Sequence, residues 1–305
     1  MDVVTDVMQI SGVRGSLGAR MEAGGHWAVG IDEEDAALHA VTAGGAWLTR
    51  AGHPPIRLAA GDVVLVASRV PHTLTDSPGT RNGGCDRAAA ERARRTGETV
   101  RVGTAPGDDR MVTIQYTCDH TVRTQLLFAL PDVVHVRAGS GAECLDDTVR
   151  MFGRELAHPQ LATTAVLNSL VDIMLIQLLR AWLPTRAHEH RGTWLGMLGD
   201  PVVRRALEHI HADPARDWTT GTLAAATAVS RATLSRRFPA AIGQSPGSYL
   251  TQWRMDLAAA RLHATDQSVE AIAAGVGYHS VPAFSRAFSR AHGSAPGRYR
   301  AAARS

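Results

Sequence analysis

The chain has 305 residues and carries 32 basic side chains, all of them arginine, against 29 acidic ones, so its formal net charge is +3. This length is enough for two domains that each bury a core. The acidic N-terminus is unlike a signal peptide, and the longest apolar run, residues 166–183, is interrupted by polar side chains and is not predicted to span a membrane. Three cysteines without paired spacing are typical of a reducing compartment, so we expect a cytoplasmic protein.

The first half of the chain is predicted to form a β domain followed by a helical hairpin. Apolar β-branched runs separated by turns indicate strands, and apolar residues at helical spacing indicate helices. The polar segment at residues 82–110 is predicted to be a loop or a frayed helix. The predicted strands are at residues 26–80, with 38–48 and 63–66 the most apolar, and at 111–116; the predicted helices are at 144–156 and 161–183, with a break at His158-Pro159.

The second of these helices carries an apolar stripe that allows two interpretations. The stripe consists of Leu167, Leu170, Met174 and Leu178. It can pack against the β domain of its own chain, or it can form a contact with a second copy. The dimer contact is the sharper prediction, and packing within one chain is its alternative.

After a polar segment at residues 185–192, which we interpret as a linker, the chain is predicted to be entirely helical. From Trp218 to the C-terminus ten arginines face three acidic residues, a net charge of +7, which leaves −4 for residues 1–217. A basic domain joined to an acidic one indicates a polyanionic partner for the basic part, and nucleic acid is the usual one. The predicted helices are at residues 201–211, 222–229, 230–238, 246–263, 268–275 and 281–292.

This helical part contains a repeat. Residues 234–249 and 284–299 are identical at eight of sixteen positions, as expected for two copies of one supersecondary unit. In each copy a short helix ends at a tight corner, and a serine, Ser230 or Ser280, is placed to cap the helix that follows.

In the first copy, Leu234 and Phe238 lie four residues apart and are predicted to be buried. This leaves a polar and basic outer face that consists of Arg231, Ala232, Ser235, Arg236 and Arg237. Two short helices with such a face on the second helix are typical of a helix-turn-helix, and the segment between the copies would fix the distance between them.

Five motifs carry a resemblance to the two-headed DNA-binding domain of the AraC/XylS family. They are LSRRF, GQSPGSYLTQWRMDLAAARL, IAAGVGYHS, FSRAF and GSAPGRYR, which lie within residues 201–300. The front half resembles the cupin-like sensor domain found in one subgroup of that family, through LHAVTAGGAWL, LAAGDVVLVASRVPH, QLLFALPDVVHV and LIQLLRAWL.

The resemblance implies an α+β fold class. An N-terminal cupin-like β-barrel with a helical hairpin would occupy residues 1–190 and sense an effector, and an all-α domain with two helix-turn-helix units joined by a linker helix would occupy residues 191–305. The base-reading positions of the family fall on Ala232, Ser235 and Arg236 in the first copy and on Val281, Pro282, Ala283 and Arg286 in the second.

Arg236 and Arg286 are expected to read bases directly, because a guanidinium group binds guanine in a bidentate manner. The alternative is that both contact only phosphate. The other reading positions of the second copy offer no side-chain hydrogen bonds; they are Val281, Pro282 and Ala283. The second copy is therefore expected to contribute more to the affinity for DNA than to the discrimination between bases. Arg290 completes the predicted basic surface.

The cupin-like domain also raises the question of a metal ion, the only candidate cofactor. Metal-binding cupins have a His-x-His pair and a carboxylate on one strand. Here His39 is present, but a valine, Val41, stands where the second histidine would be, and no glutamate follows in the strand. His72, Cys118 and His120 are the other candidate ligands. The alternative is that His39 and His72 are hydrogen-bonded barrel histidines, and that Cys118 is a buried apolar residue instead of a redox sensor.

Together these features predict a sequence-specific transcription regulator, an activator or repressor, controlled by a small ligand or by a redox or metal signal at the front domain. The alternative is a metal-dependent cupin enzyme fused to a DNA-binding module, for which the metal-binding pattern is incomplete. The expected partners are double-stranded promoter DNA and a small-molecule effector, with RNA polymerase and a second copy of the chain as further candidates. No membrane is expected.

Overall fold

The structure is a computed structural model that describes residues 3–80, 98–117, 130–183 and 194–302, together with residues 92 and 127. The described residues form two compact units. One, here called the β unit, lies within residues 14–117 and 130–185; the other, the helical unit, lies within residues 1–13, 118–129 and 186–305. The predicted linker at residues 185–192 lies outside the described residues, as do Cys118 and His120.

The β unit is built from two sheets whose side chains meet in one core. Among the described strands a six-stranded sheet has the order β10-β6-β3-β9-β1-β8, and a four-stranded sheet has the order β2-β7-β4-β5. Of the pairings between the described strands, only that of β1 with β8 is parallel. The strands are β1 (Arg14–Gly24), β2 (Ala28–Ile31), β3 (Ala36–Ala43), β4 (Gly45–Thr49), β5 (Ile56–Ala59), β6 (Val63–Val66), β7 (His72–Thr75), β8 (Thr99–Gly103), β9 (Asp109–Thr117) and β10 (Val133–Val136).

The core between the sheets follows from the alternation of side chains along each strand. Valines and methionines of the six-stranded sheet pack against leucines and valines of the four-stranded sheet. This burial of apolar area on one face of each sheet is the main stabilising contribution to the β unit. The core residues include Met21, Val41, Val64, Val66 and Met111 from the first sheet and Val29, Leu48, Leu58 and Leu74 from the second.

Two helices of the β unit, α2 (Glu143–Ala157) and α3 (Thr163–Trp182), pack on the six-stranded sheet. The Tyr116 hydroxyl donates to the Val171 carbonyl at 2.6 Å, and a Cβ added to Gly15 would lie 2.2 Å from Val171 Cγ1. The helix and strand β1 can therefore approach this closely only because position 15 is a glycine.

The apolar stripe of α3 is buried within its own unit. Leu167, Leu170, Met174 and Leu178 are each at most 4% exposed, so these four side chains pack within one chain and do not form the predicted dimer surface. By length and hydropathy alone α3 could cross a membrane, but eight of its residues are buried in this way, as in a core helix.

Three of the described strands of the β unit, β1, β8 and β10, were not expected from the sequence. Strand β1 precedes the predicted start of strand structure at residue 26 and contains no β-branched residue, but it is paired with β8 on one side and β9 on the other. Strand β8 and the start of β9 lie in the segment that was predicted to be a loop or frayed helix. Backbone pairing with β1 overrides their weak local propensity.

The helical unit is an assembly of short helices, most of them with side-chain caps. It consists of α1 (Val3–Ile10), a 3₁₀ helix (Trp194–Gly199), α4 (Pro201–Ala212), α5 (Thr220–Ala226), α6 (Arg231–Ile242), α7 (Pro246–Ala264), α8 (Val269–Gly275), α9 (Val281–His292) and α10 (Pro296–Ala302).

Helix α6 continues through a proline instead of ending at Phe238 as predicted. Pro239 removes one backbone donor, but Ala241 and Ile242 beyond it are buried and hold the last turn in place. The helix then ends at Gly243 with φ of +82°, a left-handed conformation that favours glycine.

Helix α1 is joined to this unit by a buried polar network around His211. Nδ1 of His211 is 3.2 Å from Asp6 Oδ2, and Nε2 is 2.9 Å from the Tyr249 hydroxyl. The ring stacks on Trp253 with centroids 3.7 Å apart. These contacts suit a neutral imidazole that donates to Asp6 and accepts from Tyr249. Burial lowers the pKa of His211 to about 3.

Acidification should therefore destabilise the helical unit through His211. The unfolded residue takes up a proton with a pKa of about 6.5, whereas the folded residue stays neutral, so stability is lost as the pH falls below that value. Between pH 6.5 and pH 5 we expect a loss of about 1–2 kcal/mol from this residue, measured by calorimetric unfolding of the full chain.

The matched variants are His211→Gln and His263→Gln, the second at an exposed position of α7. The first should flatten the dependence of stability on pH over this interval, and the second should leave it unchanged. An unaltered dependence in His211→Gln would contradict a neutral buried imidazole at this position.

Candidate nucleic-acid interface

The two copies of the repeat fold into helix-turn-helix units, α5–α6 and α8–α9, with the same hydrogen bonds in the turn. In the first turn Val229 N donates to Ala224 O at 3.0 Å, and in the second Tyr278 N donates to Ala273 O at 2.9 Å. Each of these bonds closes around a residue with positive φ, Ala228 at +57° in the first and Gly277 at +83° in the second. The two turns therefore have a common geometry that reverses the chain at a fixed angle.

The second helix of each unit begins at the predicted serine cap. Ser230 Oγ accepts from Thr233 N at 3.1 Å, and Ser280 Oγ accepts from Ala283 N at 3.5 Å. The side chains predicted to anchor these helices are buried, which confirms that expectation; they are Leu234, Phe238, Phe284 and Phe288, each 0% exposed.

The opposite faces of α6 and α9 carry the side chains predicted to contact DNA. Arg231, Ala232, Ser235 and Arg236 are exposed on α6; Pro282, Arg286 and Arg290 are exposed on α9, and Val281 and Ala283 are partly exposed. Within the described part of the chain, the four guanidinium groups of these two faces have no recorded hydrogen bond or ion pair. They are available for anionic or base contacts.

Arg237 differs from this set and is a correction to the predicted surface. Its Nε donates to Asp200 Oδ2 at 2.7 Å and its Nη2 to Asp200 Oδ1 at 2.9 Å. Asp200 also caps α4 by accepting from Val202 N and Val203 N. Burial opposes ionisation of Asp200, but these hydrogen bonds outweigh it and lower the pKa of the carboxyl. Arg237 is therefore committed to holding α4 against α6 and is omitted from the proposed DNA contacts.

The linker helix α7 positions the two units through Arg254, a residue that the sequence analysis did not single out. Its guanidinium donates to Pro214 O at 2.7 Å, to Arg216 O at 3.0 Å and to Gly277 O at 3.4 Å. The first two carbonyls lie before the first helix-turn-helix, and the third lies in the turn of the second. One side chain thus joins both units to the linker.

In the β unit, the structure brings together two of the four predicted metal ligands. Nε2 of His39 and Nε2 of His72 are 2.8 Å apart, and both side chains are buried. Nδ1 of His39 is 2.9 Å from Thr113 Oγ1, and Nδ1 of His72 is 2.9 Å from Val70 O. Burial lowers the pKa of both histidines, and for His39 the neighbouring His72 adds to the effect. The pair is therefore neutral at pH 7.

This pair does not by itself form a metal centre. Within the described ranges no group of three or more histidine, cysteine, aspartate or glutamate side chains converges. Cys118 and His120 lie outside the described residues, so the four-ligand site stays a prediction. The observed hydrogen bonds are those of the alternative, in which the histidines are polar residues of the core.

The paired turns, the exposed basic faces and the shared linker define a DNA-binding protein with two helix-turn-helix units, joined to a β domain with two sheets. Comparisons with known proteins give the same result. A cupin family model matches residues 2–184, and a helix-turn-helix domain model matches residues 223–302. An AraC-like transcription regulator from Streptomyces lividans is 39% identical and covers 98% of both chains.

The chain therefore belongs to the AraC family of transcription regulators, with an N-terminal cupin domain. The regulator AlkR from Acinetobacter baylyi is 27% identical over 90% of this chain and 91% of its own. The solved C-terminal domain of AraT from Geobacillus stearothermophilus is 36% identical over 34% of this chain and 86% of its own, with a TM-score of 0.33. The relatives named here are regulators, so the protein is a DNA-binding transcription regulator and not an enzyme.

The two turns should respond in opposite directions to matched substitutions. A Cβ added to Gly277 would lie 2.6 Å from Ala215 O and 2.7 Å from Arg254 Nη2, at a φ that disfavours alanine. We expect Gly277→Ala to destabilise the helical unit by about 1–2 kcal/mol or more. Ala228→Gly, which relieves the same backbone conformation, should be neutral or stabilising by up to about 1 kcal/mol.

Differential scanning calorimetry of the full chain measures the melting temperatures of both variants. The expected order of melting temperatures is Ala228→Gly at or above wild type, and Gly277→Ala below it. A Gly277→Ala protein as stable as wild type would show that neither the positive φ nor the Arg254 contact constrains this turn.

Proposed function

We propose that this regulator binds promoter DNA by inserting α6 and α9 into successive segments of the major groove. The observation that carries the proposal is that both helices present their predicted reading side chains, with unpaired guanidinium groups, on the face opposite their buried anchors. Ala232, Ser235 and Arg236 would read bases in the first unit, and Val281, Pro282, Ala283 and Arg286 would make the corresponding contacts in the second. Arg231 and Arg290 would contact phosphates.

The two units would contribute differently to sequence preference. Arg236 lies beside Ser235 on a face that offers several hydrogen bonds, whereas Arg286 is preceded by Val281, Pro282 and Ala283, which can make only van der Waals contacts with a base such as thymine. The first unit would therefore discriminate, and the second would mainly anchor the protein.

The domain at residues 1–190 would sense a signal and transmit it to the DNA-binding domain at residues 191–305. We favour a small effector molecule as that signal. A metal or redox signal through His39, His72, Cys118 and His120 stays a prediction. Regulation at promoters would take place in the cytoplasm, and RNA polymerase would be a further partner.

The proposed interface is tested by Arg236→Ala and Arg286→Ala in DNA-binding titrations. Arg236→Ala should weaken specific binding by about 1–3 kcal/mol and relax the preference at one base pair. Arg286→Ala should weaken binding with less change in preference. Arg205→Ala, an exposed arginine on α4 outside both helix-turn-helix units, is the matched control and should bind as wild type. If neither of the first two variants differs from the control, both recognition helices are placed wrongly.

We also propose that the protein self-associates through the helical hairpin, but through other side chains than those predicted. Met151 on α2 and Val166 and Ile173 on α3 are apolar and 38–49% exposed, and the last two lie seven residues apart on one face. Sedimentation at micromolar concentration should show a dimer that Ile173→Arg shifts toward monomer. A wild-type protein that sediments only as a monomer, with and without DNA, would contradict this.

A further inference from the structure

The β unit contains a cleft of about 1060 Å³ between the six-stranded sheet and helix α2. It lies on the side of the sheet that faces the helix, whereas His39 and His72 lie in the core between the two sheets. Its size is slightly above the range of about 300–1,000 Å³ that is usual for sites that hold small organic ligands. None of the residues that line it belongs to the helix-turn-helix units.

The cleft is lined by an excess of positive charge. Four arginines and two acidic residues line it; they are Arg20, Arg110, Arg150, Arg154, Glu22 and Asp146. Glu22 is shared between Arg101 and Arg110, at 3.5 and 3.8 Å, and Arg150 pairs with Asp147 on its own helix. Within the described residues Arg20 and Arg154 have no recorded ion pair. The cleft therefore contains two guanidinium groups that the fold does not neutralise.

Arg20 is the most constrained of these side chains. Its Nε is buried without a hydrogen-bond partner in the described structure, and burial lowers the pKa of its guanidinium group. Leaving a buried donor of a charged group without an acceptor costs free energy that a bound anion would recover. Asp146 Oδ1, in the same cleft, is likewise buried without a donor, although Oδ2 accepts from Gly139 N.

The backbone around the cleft is shaped to present these groups. The pairing of β1 with β9 shifts register between Leu17 and Arg20, and the pairing of β3 with β9 shifts between Val41 and Ala43. Such bulges re-aim side chains and occur next to functional sites. A Cβ at Gly18, within the first bulge, would lie 2.8 Å from Thr113 O, so the bulge depends on glycine there.

The rest of the lining is apolar. Val112 on the sheet and Val149 and Leu156 on α2 line the same cleft. An inorganic anion would leave these side chains unused, whereas a molecule with a charged end and a hydrocarbon body would contact both parts.

We infer that this cleft binds an amphipathic organic carboxylate, with the carboxylate on Arg20 and Arg154 and the hydrocarbon body against Val112, Val149 and Leu156. A hydroxyl group on the same ligand would donate to Asp146 Oδ1. The inference rests on the proposed sensor function of this domain and gives that sensor a site and a ligand class.

The test is isothermal titration calorimetry of the full chain with four probes: octanoate, 8-hydroxyoctanoate, 1,8-octanediol and inorganic phosphate. Octanoate and 8-hydroxyoctanoate should bind, and the uncharged diol and phosphate should bind at least about tenfold more weakly, because each lacks one of the two contacts. Equal affinity for the diol would overturn the role of the arginines, and equal affinity for phosphate would overturn the role of the apolar wall.

Two variants and one control locate the site. Arg20→Gln should weaken octanoate binding at least about tenfold, and Arg154→Gln a few-fold. Arg57→Gln, at an exposed position of β5 in the other sheet, should bind as wild type. If circular dichroism shows that Arg20→Gln does not fold, the octanoate affinity of Arg154→Gln alone tests the site. Wild-type affinity in every folded cleft variant, or no carboxylate binding at all, would overturn the inference.

DNA affinity measured with and without octanoate separates this inference from the proposed function. A change in DNA affinity that is lost in the cleft variants supports both. Octanoate binding without any effect on DNA affinity supports the ligand site and contradicts its role as the sensor.

Discussion

The DNA-binding half of this protein depends on the hydrogen bonds of one guanidinium group. Arg254, in the middle of the linker helix, donates to carbonyls that precede the first helix-turn-helix and to the carbonyl of Gly277 in the turn of the second. Burial lowers the pKa of Arg254, with nearby Tyr278 and two aspartates opposing the effect. Because an arginine offers five donors in a rigid plane, it can satisfy carbonyls from separate segments at once. This group therefore links the linker helix to both helix-turn-helix units.

That constraint explains why the two copies of the repeat are alike in backbone but differ in detail. Both turns need one residue at positive φ, and the first uses Ala228 while the second uses Gly277. At the second turn, a guanidinium nitrogen of Arg254 lies 2.7 Å from the position that a Cβ of residue 277 would occupy. The glycine is thus required by the approach of the linker helix in addition to the turn. The first copy is free of that contact, and its recognition helix carries the more polar reading face.

The sequence predicted the parts of the fold whose signals are local. The second recognition helix, residues 281–292, and strand 63–66 have the predicted bounds, because a serine cap, a phenylalanine pair and an uninterrupted β-branched run each act within a few residues. Strand β1 and helix α1 were not predicted. The first is held by pairing on both edges, and the second by a contact of Asp6 with His211, 205 residues away. Contacts between residues so far apart produce no pattern within a short stretch of sequence.

Long-range contacts also determine which arginines are free to bind a ligand. The chain has no lysine, so arginine supplies all of its basic side chains apart from histidine. Arg236 and Arg237 are adjacent and indistinguishable by composition, but the partner of Arg237, Asp200, lies 37 residues upstream, so only the fold shows that its charge is already used. Arg254 is satisfied by carbonyls in the same way. Arg236, Arg286 and Arg20 have no recorded partner within the described residues. A guanidinium group that the fold leaves unsatisfied retains its affinity for an external acceptor. In the complexes proposed above, that acceptor would be a phosphate or a guanine of DNA in one unit and a carboxylate in the other.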